Sequence, residues 1–199
     1  MKNLFLYLLL ILSISAKSQN LNTYTFSKGA HFSEPRKPGI VKMSTVVFYG
    51  AFTEQSKYWI FDNSTADGYS VDQMDWNKLC GVYINPVNTM DNTVMIAWRY
   101  NPYQQAIQII PYWHRHKYGV AREMDEQYVQ NIPYNKPFKL ILTFKNNTCD
   151  LTIQADTIVH ELKQFPNGFL SRGLTIQPYF GGNQVAPNDC LVLLKNDKQ

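Results

Sequence analysis

The stretch Phe138-Lys-Leu-Ile-Leu-Thr-Phe-Lys-Asn-Asn-Thr-Cys-Asp-Leu-Thr-Ile153 decides the fold class of this chain. Phe138, Leu140, Leu142 and Phe144 are apolar at every second position, the period at which a strand turns its side chains to one face. Asn146-Asn147 then supplies a turn, and Leu151 and Ile153 resume the alternation on a returning strand. The reading is a hairpin with one face in a core, in a chain built from such hairpins.

Outward from this hairpin, β-branched and aromatic runs punctuated by Asn, Asp, Gly and Pro recur along the sequence. They predict strands near 21–27, 41–52, 57–61, 77–84, 92–100, 105–113, 117–121, 138–145, 148–154, 157–160, 174–181 and 189–195. A short helix is expected only over Arg122 to Val129, closing before Ile132-Pro133 because a residue that precedes proline avoids the α region. With no repeat at a fixed period, many antiparallel strands predict an all-β, two-sheet jelly-roll sandwich.

The N-terminus carries a second instruction. Lys2, the apolar run Leu4–Ile14 and the small residues Ala16 and Ser18 read as a signal peptide spanning 1–18, with cleavage after Ser18. That apolar run is about 11 residues, short of the roughly 18–20 a spanning helix needs. The expected mature protein, 19–199, is one β-sandwich domain, secreted to the periplasm or the medium. Lys2 and Lys17 leave with the signal, so 17 basic side chains face 15 acidic ones, without a basic stripe of the kind that nucleic acid requires.

Cys80, Cys149 and Cys190 are an odd set for an exported chain, and each sits in an apolar or strand-like segment. Buried free thiols are the expectation. Pairing of Cys149 with Cys190 is the alternative.

Towards the C-terminus, Leu174, Ile176, Pro178 and Phe180 alternate with Thr175, Gln177 and Tyr179, which predicts one strand with an apolar inner face and a polar-aromatic outer face. The stretch Gln177-Pro-Tyr-Phe-Gly-Gly-Asn-Gln-Val-Ala-Pro-Asn-Asp189, followed by the strand Cys190–Leu194, resembles the end of concanavalin A-like jelly rolls. Trp76–Tyr83 and Ala97–Asn101 are similar to inner strands of the secreted polysaccharide-lyase and glucanase-like branch of that superfamily. The resemblance implies a sugar-directed sandwich. The E-x-D-x-x-E arrangement common in concanavalin-like hydrolases, where retaining hydrolysis needs two carboxyls about 5–5.5 Å apart, is absent. Glu123, Asp125 and Glu126 are the dense acids, and they read as a solvated charged segment.

Elimination on a uronic-acid polymer needs other parts: a base beside the acidic carbon, and cations or amides that hold the carboxylate. Regular strand geometry puts Gln108, Ile110, Tyr112, His114 and His116 on one side of their strand, and Arg99 in the preceding strand faces away from Val94, Ile96 and Trp98. This set matches jelly-roll lyases in residue type alone. The plainer alternative makes Tyr112 and Trp113 a cover for the sheet and Arg115–Lys117 a turn. His31, after the first strand, is a candidate for the same surface. Among the aromatics, Tyr103, Tyr112 and Tyr179 are expected to be exposed, and Trp59, Trp76 and Trp98 to lie in the core.

Two metal sites are conceivable, His114 with His116 on one ion and calcium in Asp62–Gly68, and neither motif is complete. No cofactor is expected. Asn63-Ser-Thr65 and Asn146-Asn-Thr148 match the glycosylation sequon and read equally well as turns. The leading expectation is a secreted carbohydrate-binding sandwich that contacts an extracellular polysaccharide through Arg99, Gln108, Tyr112, His114, His116 and Tyr179. The alternatives are a polysaccharide lyase with Tyr112 or His114 as acid or base, and a surface adhesion protein with a protein partner.

Overall fold

The alternation around Asn146-Asn147 is realised as two paired strands that bury every second residue. Phe138, Leu140, Leu142 and Phe144 are buried on one strand, and Cys149, Leu151 and Ile153 on the other. Leu142 stands opposite Leu151. A computed structural model describes residues 21–84, 93–116, 120–124, 126–145, 148–153, 156–161, 172–181 and 184–197, with backbone alone at 114–116, 120–123 and 156–161. The turn residues Asn146 and Asn147 and the signal segment lie outside the described residues.

The strands among the described residues are, in chain order, β1 (Asn22–Phe26), β2 (Ile40–Lys42), β3 (Thr45–Ala51), β4 (Asn77–Tyr83), β5 (Thr93–Asn101), β6 (Ala106–His116), β7 (Val120–Glu123), β8 (Gln130–Ile132), β9 (Pro137–Lys145), β10 (Thr148–Ile153), β11 (Asp156–Glu161), β12 (Arg172–Ile176) and β13 (Cys190–Asp197). They form two antiparallel sheets, ordered β1-β13-β3-β9-β10-β11 and β2-β12-β4-β5-β6-β7, with β8 joined to β6. No helix among the described residues is long and apolar enough to cross a membrane.

The space between the sheets is filled by the inward sets of both. Val94, Ile96, Trp98, Ile107 and Ile109 come from the seven-stranded sheet, and Phe26, Phe48, Leu140, Leu142 and Val192 from the other. Trp98 is fully buried, with the rings of Phe52, Tyr58 and Phe180 centred 5.6, 5.5 and 5.9 Å away. All three cysteines are buried and free, so Cys149 and Cys190 do not pair. Loss of hydration pushes each thiol upward, Cys190 to about 12.

The expected strand 41–52 is two strands. Val41 and Met43 face the core at odd positions, whereas Val46 and Phe48 face it at even ones. The phase changes because the chain leaves one sheet at Lys42 and enters the other at Thr45. The segment 57–61 is extended but forms no ladder beyond a single bridge from Phe61 to Tyr69, and two of its amides go to side chains: Ile60 N donates to Gln73 Oε1 at 2.6 Å and Trp59 N to Asn188 Oδ1 at 3.3 Å. Gln73 returns the favour from Nε2 to the carbonyls of Tyr58 and Tyr100. The expected helix Arg122–Val129 shrinks to a 3-10 turn at Glu126–Tyr128, because Arg122 and Glu123 pair with β6 as part of β7.

The strand expected over 174–181 also differs. It ends at Ile176, whose partner is Gly81. Beyond it, Tyr179 exchanges backbone bonds with Lys78 at 2.9 and 3.0 Å. β4 carries a bulge between Lys78 and Cys80. Both strands therefore take an irregular three-residue step, Ile176 to Tyr179 against Gly81 to Lys78. Pro178, with no N–H, sits where the ladder is interrupted. Ile176 and Tyr179 consequently share the outer side, Phe180 enters the core, and Thr175 lies opposite Val82 on the inner side.

Candidate functional site

The outer side of the seven-stranded sheet holds a second cluster, distinct from the interlayer core. Trp76, Met95, Ala97, Ile110, Tyr112 and Ile176 are buried there, with Tyr83, Val129 and Tyr179 packed against them. Cross-strand register builds it: Met95 faces Tyr112, Ala97 faces both Lys78 and Ile110, and Arg99 faces Gln108. Period-two alternation thus puts Arg99, Gln108 and Tyr112 on one face, and the β4 bulge adds Trp76, Lys78 and Tyr179.

Arg99 anchors one end of this face. Its Nε donates to Gln108 Oε1 at 2.8 Å and its Nη1 to the Met74 carbonyl at 3.0 Å, while Nη2 lies 3.6 Å from Glu126 Oε2. The guanidinium carbon stands 3.9 Å from the centre of the Trp76 ring, and Trp76 Nε1 donates to Glu126 Oε1 at 3.2 Å. Burial lowers the pKa of Arg99 from its ordinary value, and the Glu126 carboxylate opposes that shift. Gln108 is 4% exposed and uses its whole amide: Oε1 accepts from Arg99 and Asn101, and Nε2 donates to Gln104 and Asn131.

Lys78 anchors the other end. Its ammonium donates to the Trp76 carbonyl at 3.3 Å and stands 5.1 and 5.6 Å from the ring centres of Tyr112 and Tyr179. Gly181 leaves room for it, because a Cβ there would fall 2.2 Å from Lys78 Nζ. Tyr179 continues outward to Phe32, ring centres 5.9 Å apart, and Phe32 is 49% exposed with Arg36 over it at 4.3 Å. His31, whose carbonyl accepts from Phe180 N, is half-buried beside Phe32.

Set against the sequence expectations, Arg99, Gln108, Tyr112 and Tyr179 meet on one side of one sheet. His114 stands opposite Thr93 and Arg122 in register, and His116 opposite Val120, with their side chains outside the described residues. Tyr112 is buried at 4% exposure rather than exposed, because Met95 and the Lys78 stem crowd it. Trp76 belongs to the outer cluster and not to the core between the sheets. Glu126 is drawn into the Arg99–Trp76 contact instead of being merely solvated. Asp125 lies outside the described residues.

Tyr103 is exposed, but on a separate loop patch with Tyr69 and Phe61, where its hydroxyl donates to Asp67. Asp62 is occupied by the Ser64 amide and hydroxyl. No group of three metal-binding side chains occurs among the described residues. Sequence reasoning passed over Lys78, although it is the one charged residue in the predicted strand 77–84.

The two antiparallel sheets form a jelly-roll sandwich of the concanavalin A-like fold. Among solved structures it is similar to the alginate lyase vAL-1 from Chlorella virus, with TM-score 0.56 and 12% identity, covering 88% of this chain and 82% of that one. It is also similar to the alginate lyase AlyC3, with TM-score 0.53 and 9% identity over 91% and 75% of the two chains. Galectin-1-L2 of Dario rerio aligns at TM-score 0.39 and 12% identity, covering 78% of this chain and 96% of that one. No protein-family model and no curated protein sequence matches the chain.

Proposed function

We propose that this protein is a secreted carbohydrate-binding sandwich that recognises an extracellular polysaccharide through the outer face of its seven-stranded sheet. The observation that carries the reading is the union of rings and cations on that face, with Arg99 over Trp76 and Lys78 beside Tyr112 and Tyr179, continued by exposed Phe32. Rings offer apolar faces to sugar C–H groups, and cations meet the acidic groups of a charged glycan. In this reading Tyr179 and Phe32 stack on the sugar, Arg99 and His116 face its acidic groups, and His114 extends the strand's polar edge. Gln108 orients Arg99, and Tyr112 is the floor beneath Lys78.

Polysaccharide elimination is the second reading, favoured by the likeness to two alginate lyases and by Tyr112 and His114 lying on the strand that carries Gln108. Its difficulty is chemical. Ile110, between Gln108 and Tyr112, transfers no proton, and Tyr112 is buried. A base must reach the proton it removes.

The test is one incubation of the purified protein with neutral and uronic-acid polysaccharides, alginate included, following retention on the polymer and growth of unsaturated-product absorbance in the same samples. Retention without product, reduced about 10-fold in Tyr179→Ala and in Phe32→Ala, is the expected result, as loss of a well-packed ring contact costs about 0.5–1.5 kcal/mol beyond area burial. Product growth lost in Tyr112→Phe and His114→Ala would establish elimination instead. Neither signal would remove the glycan reading in favour of a protein-contacting surface.

A further inference from the structure

Glu126 serves two partners with one carboxylate. From the 3-10 turn after β7, its Oε1 accepts from Trp76 Nε1 at 3.2 Å and its Oε2 lies 3.6 Å from Arg99 Nη2. An indole N–H and a guanidinium N–H are thus aimed at a single acidic group. A carboxylate on a sugar ring asks for the same kinds of donor.

The two donors are held more firmly than their occupant. Arg99 is fixed through its other nitrogens, Nε on Gln108 and Nη1 on the Met74 carbonyl, and its guanidinium carbon stands 3.9 Å from the centre of the Trp76 ring. Trp76 is 8% exposed and the Arg99 side chain 12%, whereas the Glu126 side chain is 65% exposed. The Glu126–Arg99 contact is also longer than the roughly 2.7–2.9 Å of a close charge-assisted hydrogen bond. An ion pair with so exposed a partner contributes little to stability. Rotation of the Glu126 side chain into water uncovers Arg99 Nη2 and the indole N–H together, while Val129, packed on the outer cluster, keeps the turn in place. A largely buried guanidinium without an anion is costly, which gives Glu126 a role whenever no ligand is bound.

We propose that Arg99 Nη2 and Trp76 Nε1 form a seat for one sugar carboxylate, that Glu126 is its internal occupant, and that a uronic-acid unit binds by displacing it. This rests on glycan recognition by the outer face and adds the residue that sets its preference. A neutral sugar that displaced Glu126 would leave Arg99 without an anion, so the exchange selects an acidic unit. Glu126 also limits the affinity for that unit, because it competes for the seat and repels the incoming charge.

Retention on alginate, a uronic-acid polymer, and the indole 15N–1H spectrum test the exchange. Glu126→Gln keeps the size of the side chain and an acceptor for Trp76 but removes the charge. It should raise affinity for alginate about 5-fold, the scale of an exposed ion pair. Glu54→Gln removes the same charge from the turn beside β13 of the other sheet and should leave affinity unchanged. In an Arg99→Met background, Glu126→Gln should bring no gain. Sodium glucuronate should move the Trp76 indole signal, assigned with Trp76→Phe, and move it further in Glu126→Gln, where a carboxylate replaces an amide. Equal or weaker alginate affinity in Glu126→Gln, the same gain in Glu54→Gln, or a Trp76 signal that glucuronate leaves in place in both proteins would overturn the proposal. Wild-type retention in the same samples reports separately on the outer-face reading, which stands if the wild type is retained and Glu126→Gln gains nothing. Retention of Glu126→Gln but not of the wild type supports the exchange, and retention of no variant overturns both.

Discussion

Gln108 is a side chain whose meaning changes when its partners are known. In the sequence it is a polar residue on a strand face and reads as a ligand contact; in the structure its amide links four side chains from three segments. Replacing it with Leu removes the acceptor for Arg99 and Asn101 in a buried setting, so Gln108→Leu should lower unfolding stability by about 2–4 kcal/mol, read by urea denaturation. Thr93 is the opposite case. Its buried hydroxyl has no hydrogen-bond partner among the described residues, and Thr93→Val keeps the shape while removing the unmet group. That variant should unfold at equal or higher urea concentration, a gain of up to about 1 kcal/mol. The shared side of Arg99, Gln108 and Tyr112 was legible because strand alternation is local. Burial of Tyr112 and the capture of Arg99 by Glu126 were not, because both depend on residues distant in the chain.

Among the elements, β4 and its neighbours do most to place the outer face. Gly81 has no room for a side chain against β5: a Cβ there would fall 2.3 Å from the Val94 carbonyl oxygen and 2.5 Å from Met95 Cα, both backbone atoms with little freedom to withdraw. Gly81→Ala should therefore destabilise by roughly 2–3 kcal/mol, visible as a lower melting temperature, at the upper end of overpacking costs. The loop from Asp62 to Ser70 responds to pH instead. Hydrogen bonds from Ser64 to Asp62, and from Tyr103 and Tyr69 to Asp67, hold both carboxyls below their ordinary value of 3.8. Groups with depressed folded values stabilise above the unfolded pKa and lose that effect as pH falls through the folded one. Loop amides such as Gly68 should thus keep their hydrogen-exchange protection, relative to the core, down to about pH 4 and lose it below. Asp67→Asn should flatten this dependence. The β9–β10 hairpin was readable from composition because its period and turn are contiguous. The break of β12 at Ile176 was not, since it answers a bulge in β4 almost a hundred residues away.

Across the molecule, the two sheets enclose all three thiols, Cys80 on one sheet and Cys149 and Cys190 on the other. Because burial suppresses the thiolate, none should react with Ellman's reagent in the native state at pH 8, and all three should appear in a single step at the unfolding transition. Early reaction of one thiol would mean that the sheets part locally before the molecule unfolds. The sequence by itself determined the all-β class, the two-sheet arrangement with one buried side to most strands, and the thiols' place in the core, because alternation, turn residues and apolar runs act over a few neighbours. Tertiary structure alone decided where the chain changes sheets, which side Tyr179 and Ile176 face, and that Arg99 is paired. Each of those depends on register between segments far apart in the chain, and a one-residue bulge there reverses the face that a side chain presents.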